Sequence, residues 1–230
     1  MALLGTAAML LWYNIIEEQI AEHDDWHTRE HFPERLGIPG FKRAQRWVSN
    51  SGQRRYFVMY EVSDIDVLSS APYLERLNHP SPWTSQTMSY FRGMTRGFCQ
   101  VKQSHGTVLG TTALVVRFSP GPGRENQLQQ WLVNDFIPDI LQRKGFCNAS
   151  LFQSDGAPAM TAEQSIRGRD ASVDWVLLVT SYCVDSANNL SRAELSGEAL
   201  MSHGADTGVI SDVYQLACSS TEPAILKGSS

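Results

Sequence analysis

The sequence predicts an α+β protein built from two tandem βαββαβ repeats, and an internal register is the main evidence. A shift of about 105 positions superposes several identical residues without a gap. The pairs are Ala8 and Ala113, Trp26 and Trp131, Pro33 and Pro138, Leu36 and Leu141, Gly40 and Gly145, Phe41 and Phe146, and Ala44 and Ala149. In both halves, short apolar runs typical of strands alternate with longer segments of helical period. We interpret the chain as a tandem duplication.

The first repeat is predicted over residues 1–105, and each element follows from a local pattern. The apolar run at its start is typical of a strand, and the long polar segment that follows has helical period and stops before Ile38-Pro39-Gly40. The predicted elements are a strand at 8–14, a helix at 17–36, hairpin strands at 41–48 and 55–62 around a turn cluster at 49–53, a helix at 64–77, an interruption at 79–82 and a strand at 91–102.

The second repeat is predicted over residues 113–220, after a linker at 106–112 and before a tail at 221–230. Its elements are strands at 113–119, 146–154, 175–183 and 210–218 and helices at 125–144 and 186–201. A polar insertion of about seventeen residues, 156–172, separates the two middle strands. Connections of this length are unusual, so we expect this loop to be mobile or to act as a lid.

A βαββαβ unit is a ferredoxin-like arrangement, in which helices cover one face of an antiparallel sheet. The bare faces of two such sheets can bury each other and close an eight-stranded barrel, with room inside for a small ligand. A duplicated chain is then a covalent version of a symmetric dimer. Two such chains can still associate, so a homodimer is possible.

Composition excludes several classes of function. The net charge of −5 and the pI of about 5.7 provide no basic footprint for nucleic acid. The four cysteines have no metal-type spacing and are typical of reduced thiols in a cytoplasm. The apolar start has no basic residue before it and aligns with an internal strand, and no apolar run reaches membrane-spanning length. We therefore expect a cytoplasmic protein that binds neither nucleic acid nor membranes.

The segment 26–41 resembles a signature of dimeric α/β-barrel proteins, most closely the EthD-like branch. The residues that carry the resemblance are Trp26, His31, Pro33, Leu36 and Pro39-Gly40-Phe41, followed by Ala44, Arg46 and Trp47. That family includes muconolactone isomerases, antibiotic-biosynthesis monooxygenases and more distant haem enzymes, so the resemblance implies the fold more firmly than a reaction. The second repeat keeps the Trp, Pro and Gly-Phe but lacks the histidine. The resemblance therefore implies one site, in the first repeat.

Three histidines of the first repeat replace apolar residues of the second. His23, His27 and His31 are four residues apart and align with Leu128, Leu132 and Phe136. Residues at this spacing form one stripe of a helix, and an apolar stripe normally faces the core. We expect His31 to be the principal base or acid and His27 its helper. His23, beside Glu22 and Asp24, is expected to be solvated.

Aromatic and basic residues are expected to line the site. Trp47, Tyr60, Arg46 and Trp83 are the predicted substrate-binding residues. Arg92 and Arg96 are further candidates for contact with a carboxylate or phenolate, and Asp25, Glu30 and Glu61 for orienting a histidine. An aromatic lining suits a small hydrophobic or aromatic molecule. The turn 79–82 beside Trp83 suggests a locked turn that can include a cis bond.

We predict a cofactor-free lyase or isomerase that acts by histidine acid–base catalysis. The alternatives are a cofactor-free monooxygenase of a phenol and a non-catalytic ligand-binding barrel. A metal would need His27 and His31 with a third ligand such as Glu61 or His79, and haem would need His31 or His79 as its axial ligand.

Overall fold

The computed structural model describes residues 3–49, 53–156, 161–168 and 170–221. The strands are β1 (Ala7–Ile15), β2 (Phe41–Val48), β3 (Tyr56–Val62), β4 (Phe91–Gly106), β5 (Thr112–Phe118), β6 (Phe146–Ser154), β7 (Ala171–Ser172), β8 (Trp175–Ser181) and β9 (Ile210–Thr221). The helices are α1 (Ile20–Trp26), α2 (Phe32–Leu36), α3 (Ala71–Asn78), α4 (Pro82–Met88), α5 (Glu125–Gln130), α6 (Ile137–Ile140), α7 (Ala162–Arg167), α8 (Val184–Arg192) and α9 (Gly197–His203).

Eight strands close into an antiparallel barrel in the order β1-β3-β2-β9-β5-β8-β6-β4, and β4 pairs again with β1. The two halves join where β2 meets β9 and where β4 meets β6. The short strand β7 pairs in parallel with Thr95 and Arg96 of β4. The predicted α+β class and closed barrel are confirmed.

The predicted helix at 17–36 forms with a wider turn in its middle. A short 3₁₀ turn leads into α1, the π-helical segment His27–His31 follows, and α2 completes the helix. The second half has the same feature at Trp131–Phe136, between α5 and α6. In each half, a proline lies two residues beyond the wide turn, Pro33 in one and Pro138 in the other. Proline lacks the N–H and clashes with the carbonyl four residues back, and the wider turn relieves that conflict.

Several predicted boundaries differ from those observed. The predicted helix 64–77 is a 3₁₀ turn, Ile65–Ser69, followed by α3, because Pro72 occupies the first turn of a new helix. The predicted helix 186–201 is split into α8 and α9, and Ser196 caps the start of α9 by accepting from the Ala199 N–H. The predicted helix 125–144 ends at Ile140. Strand β4 continues to Gly106, so the connection to β5 comprises residues 107–111.

The barrel interior is filled with side chains, and the expectation of ligand space inside it is wrong. Alternate residues of strands from both halves meet there as one buried cluster. Its largest members are Trp12, Trp47, Phe57, Phe152 and Tyr214. A separate core lies between each sheet and its helices, and the first-half core contains the predicted histidine helix. The candidate site is therefore outside the barrel, under the helices.

The insertion 156–172 contains α7 and β7 in its described part. A capping box at Thr161 and Gln164 starts α7. Although α7 belongs to the second half of the chain, it packs against α3 and α4 of the first half. It thus covers the helix–sheet core that contains the histidines. The turn cluster 49–53 falls largely on residues 50–52, outside the described residues.

Within the described residues, each helix is too short or too polar to cross a bilayer.

Candidate functional site

His23, His27 and His31 form a buried stack along the first-half helix. Their side chains face the core, and the residues are 0%, 2% and 8% exposed. Ring centroids are 5.2 Å apart between His23 and His27 and 5.5 Å apart between His27 and His31. An α-helix rotates residues four apart by about 40° relative to each other, and the wider turn at 27–31 reduces that drift. The predicted stripe exists, but the expectation that His23 is solvated is wrong.

His23 is held by hydrogen bonds that leave neither ring nitrogen for chemistry. Its Nε2 lies 3.1 Å from the Tyr13 hydroxyl, and its Nδ1 lies 3.0 Å from Asp24 Oδ1. The Tyr56 hydroxyl donates to the same Asp24 oxygen at 2.9 Å. Burial lowers the pKa of His23, and the Asp24 carboxylate only partly opposes this. His23 is therefore a structural residue of the stack.

His27 joins two of the predicted substrate-binding residues. Its Nε2 lies 3.0 Å from the Tyr60 hydroxyl, and its Nδ1 lies 3.4 Å from Arg46 Nη1. A guanidinium only donates, so Nδ1 accepts and the neutral ring carries its proton on Nε2. Arg46 is itself held because Nη1 donates to the Asp24 carbonyl oxygen at 3.0 Å. Burial lowers the pKa of His27 well below its usual range, and repulsion from the neighbouring histidines and Arg46 lowers it further.

His31 differs from the other two because one of its nitrogens is buried without a partner. Among the described residues, Nδ1 has no hydrogen-bond partner, and the Glu34 Oε2 atom lies 3.9 Å away. The ring packs against Trp26, with centroids 4.4 Å apart. Burial lowers the pKa of His31 well below its usual range, and the Arg35 charge lowers it further. His31 is therefore neutral at pH 7 and can accept a proton.

A cavity of about 30 Å³, the size of one water molecule, adjoins His27 and His31. Its wall includes aromatic and methionine side chains from the sheet and helices, and arginines and a glutamate at one end. The main polar lining residues are His27, His31, Tyr60, Tyr73, Arg35, Arg96, Arg167 and Glu163. The site is closed to any organic molecule in this conformation, so a substrate requires a side-chain or helix movement.

The charged end of the cavity is built by α7. Arg35 is 1% exposed, and its Nη2 donates to Glu163 Oε1 at 2.6 Å. Arg167, also on α7, donates to Asp170 Oδ2 at 2.9 Å, and Arg96 Nε lies 3.0 Å from the same oxygen. Sequence reasoning missed Arg35, Glu163 and Arg167. Arg35 lies inside the signature segment, but no local pattern pairs it with a residue more than a hundred positions away.

The other predicted site residues are dispersed. Trp47 faces the barrel interior, and the Trp83 Nε1 donates to Glu22 Oε1 at 2.7 Å away from the cavity. Tyr60 lines the cavity, and Arg46 contacts His27 behind it. Arg92 is exposed, whereas Arg96 lines the cavity. Thus Tyr60 and Arg46 contact the histidines, while Trp47 and Trp83 do not.

The carboxylates predicted to orient a histidine have other partners. Asp25 pairs with Arg29, Glu30 accepts from Ser81 and Thr84, and Glu61 pairs with Arg43. The carboxylate that lies near His31 is instead Glu34, one turn further along the helix.

The suggested metal and haem ligands do not converge. His79 is exposed and pairs with Glu75, and Glu61 is held by Arg43. In the part of the chain that the structure describes, no group of three or more His, Cys, Asp or Glu side chains is placed to hold a metal ion. The described peptide bonds are all trans, including those of the turn 79–82.

No family model and no curated protein matches the chain in sequence. Solved structures with the same fold exist. An anthrone oxidase-like protein aligns with a TM-score of 0.65 at 10% identity over 96% of both chains. A candidate monooxygenase from Fusobacterium nucleatum aligns with a TM-score of 0.62 at 8% identity over 96% of both chains. A second, from Lactobacillus acidophilus, aligns with a TM-score of 0.56 at 8% identity over 95% of this chain and 97% of its own.

These likenesses define the fold class. The chain shares their α+β fold, with helices on a closed eight-stranded antiparallel barrel that is formed within one chain. At identities of 8–10% the likeness concerns the fold alone.

The buried histidines predict a loss of stability in mild acid. In the unfolded chain a histidine binds a proton near pH 6.5, while burial lowers the folded-state pKa of His23, His27 and His31. The unfolded state then binds more protons below pH 6.5, so stability falls as pH falls. Each histidine contributes up to about 1.4 kcal/mol per pH unit. We expect urea unfolding at pH 7.5, 6.5 and 5.5 to show a falling free energy of unfolding.

The variant His31→Leu isolates one of these contributions. Burial raises the pKa values of Glu34 and Glu61, which produces a pH dependence of opposite sign above their ordinary pKa. Because both proteins carry these glutamates, the difference between them reports His31. We expect a shallower fall in the variant. Identical pH dependence in both proteins would mean that the pKa of His31 is the same in the folded and unfolded states, which would contradict the lowering by burial.

Proposed function

We propose that the histidine cavity of the first half is the active site of a cofactor-free lyase or isomerase. The enzyme would act on a small hydrophobic or aromatic metabolite by histidine acid–base catalysis. The observation that carries this proposal is the His31 imidazole, which is buried and neutral, lines a cavity and has one ring nitrogen without a partner. A buried polar nitrogen without a partner destabilises the fold, so its retention favours a functional role.

The proposed first step is removal of a proton from carbon next to a carbonyl group. The His31 imidazole takes the proton, and the electron pair of the broken C–H bond moves to the carbonyl oxygen to form an enolate. Return of the proton to another carbon makes the step an isomerisation, while expulsion of a leaving group makes it an elimination. The base works near neutral pH because its ring is uncharged there.

Neighbouring residues support this role. The Glu34 carboxyl lies 3.9 Å from His31 Nδ1 and stabilises the imidazolium that forms when this nitrogen takes the proton. Tyr60 and His27, hydrogen-bonded to each other at 3.0 Å, supply a second proton carrier on the same wall. The three arginines that line the cavity, Arg35, Arg96 and Arg167, favour the negative charge of the enolate.

A cofactor-free monooxygenase is the second candidate. The same base can deprotonate a phenol, and the electron-rich phenolate then reacts with molecular oxygen. Two proteins of the same fold are named as candidate monooxygenases, which is the reason to test oxygen here. A ligand-binding barrel without catalysis is the third.

The test is a turnover screen under nitrogen and under air. Small phenols, β-keto acids and unsaturated lactones are incubated with the purified protein in deuterated buffer, and products are followed by mass spectrometry together with oxygen uptake. We expect equal turnover in both atmospheres and deuterium in the product. Turnover that requires oxygen would replace the lyase or isomerase with the monooxygenase, and binding without turnover would support the third candidate.

Metal analysis and a visible absorption spectrum of the protein from its own source test whether it holds a metal ion or haem. A stoichiometric metal ion or a Soret band would overturn the cofactor-free proposal.

We also infer that the chain arose by tandem duplication and that its nearest branch is the EthD-like one. The duplication is supported by the common order of strands and helices in the two halves and by the wide helical turn at aligned positions, His27–His31 and Trp131–Phe136. The EthD-like branch is supported by the signature residues of the segment 26–41. A cytoplasmic location and a homodimer stay predictions, and native mass spectrometry tests the second.

A further inference from the structure

A second cleft adjoins the histidine cavity and is large enough for an organic molecule. Its volume is about 260 Å³, against about 30 Å³ for the histidine cavity. Tyr73, Leu77 and Arg96 line both spaces and form the wall between them. These three side chains separate the two spaces. The cleft is therefore the natural place for the body of a substrate whose reacting end lies at His31.

The walls of this cleft are mostly apolar. Leu68, Leu74, Leu77 and Phe98 provide its hydrocarbon surface together with Ile65 and Tyr73. The carboxylates that line it, Asp66 and Asp155, are both exposed at its mouth, where water screens their charge. The interior end thus suits hydrocarbon, with one charged group at its base.

That group is Arg96, and it has an unused donor. Arg96 is 4% exposed, and its guanidinium lies over the Phe98 ring at 5.0 Å from the centroid. Its Nε faces Asp170, but its buried Nη2 has no hydrogen-bond partner among the described residues. A guanidinium donor left without an acceptor in a buried wall is costly, and an oxygen anion would satisfy it.

Arg96 belongs to a buried cluster of charges. Three guanidinium groups, on Arg35, Arg96 and Arg167, are at most 4% exposed, and they contact the carboxylates of Glu163 and Asp170. A third carboxylate, on Glu34, lies 3.6 Å from Arg35 and 3.9 Å from the exposed Arg76. Among the described residues, Arg96 therefore shares its one carboxylate partner, Asp170, with Arg167. Buried charges are normally paired, so an added anion at Arg96 Nη2 would complete the pairing of this guanidinium.

We propose that this cleft binds an organic anion, with the apolar or aromatic body along α3 and a carboxylate or phenolate oxygen on Arg96. The proposal names the substrate class of the site described above and depends on the proposed function only in placing the reacting end at His31. It predicts that neutral molecules of the same shape bind more weakly than the anions.

The test uses two fluorescent dyes of the same skeleton on the full chain. 1-Anilinonaphthalene-8-sulfonate carries an anionic group, and N-phenyl-1-naphthylamine lacks it. We expect Arg96→Met to weaken the sulfonate by about tenfold, as for the loss of one charge-assisted hydrogen bond, and to leave the neutral dye unchanged. Arg96→Lys retains the charge and should restore part of the affinity. Arg92→Met removes an exposed arginine of the same strand and should change neither dye.

Two further variants separate the alternatives. Leu74→Trp fills the cleft from α3 and should weaken both dyes, whereas dye bound elsewhere would be unaffected and would overturn the proposal. If Arg96→Met behaves like Arg92→Met, or if the wild type binds neither dye, the proposal fails. If Arg96→Met loosens the packing, both dyes bind more strongly and the near-ultraviolet circular dichroism signal falls. In that case the sulfonate affinity of Arg96→Lys, compared with the wild type, tests the proposal. His31→Leu should keep the dye affinities. Turnover of this variant therefore tests the proposed function, whereas the dye affinities test anion binding in the cleft.

Discussion

Replacing His31 with leucine is expected to lower turnover by about 100- to 10,000-fold, the usual contribution of a general base. The same change should leave the free energy of unfolding equal or up to about 1 kcal/mol higher, because it removes a buried nitrogen without a partner. Leucine is also close in character to Phe136, the aligned residue of the second half. Loss of activity together with undiminished stability is the signature of a residue retained for function.

The measurements are steady-state turnover of a substrate found in the screen and urea unfolding at pH 7.5. His79→Leu is the matched control, because His79 is exposed and pairs with Glu75 on the surface, away from the cavity. The control should keep wild-type turnover. Retained turnover in His31→Leu would remove His31 from the mechanism and leave the pair of His27 and Tyr60 as the remaining candidates.

Replacing Glu163 with alanine is expected to lower the free energy of unfolding by about 3 kcal/mol. The change leaves the Arg35 guanidinium, 1% exposed, without its 2.6 Å partner. The other carboxylate near Arg35, on Glu34, lies 3.6 Å away and is shared with Arg76. A buried charge without compensation is among the most costly single defects in a protein, which makes this the largest predicted effect on stability.

Two comparisons sharpen this prediction. Glu194→Ala breaks the exposed pair between Arg143 and Glu194, which should cost less than about 1 kcal/mol because water screens it. Replacing Arg35 and Glu163 together with methionine removes both charges and should recover most of the stability lost in the single variant. If Glu163→Ala costs no more than Glu194→Ala, then α7 lifts away and water reaches Arg35, and the helix is an open lid in solution.

The local architecture of the chain was predictable because it depends on local patterns. Strand β2 was predicted with its observed bounds, Phe41–Val48, and β6 with its observed bounds, Phe146–Ser154, because apolar runs bounded by turn residues identify strands. Alternation along β2 places Arg46 on the helix side of the sheet and Trp47 in the barrel interior, so the two predicted substrate-binding residues lie on opposite faces. Helix breaks were less predictable, because a proline at the first turn of a helix does not interrupt the polar pattern around it.

The site was predictable only as far as it lies on one helix. The spacing of His23, His27 and His31 was enough to predict a stripe that faces the core. Burial of His23 was not predictable, because Glu22 and Asp24 beside it suggest solvent, whereas in the structure Asp24 contacts the ring at Nδ1 and Tyr13 contacts it at Nε2. Carboxylate partners were also misassigned, since sequence distance does not determine which charges share a layer of the fold.

The sequence by itself determined the α+β class, the barrel-forming order of strands and the histidine face of the first-half helix, since each depends on residue periodicity and on turn residues. Only the tertiary structure decided that the barrel interior is packed and that the site lies under the helices. It also decided that α7, from the second half, closes that site. The contact between Arg35 and Glu163 joins residues 128 positions apart. Such a contact depends on how the two halves close the barrel, and no local pattern in the chain encodes it.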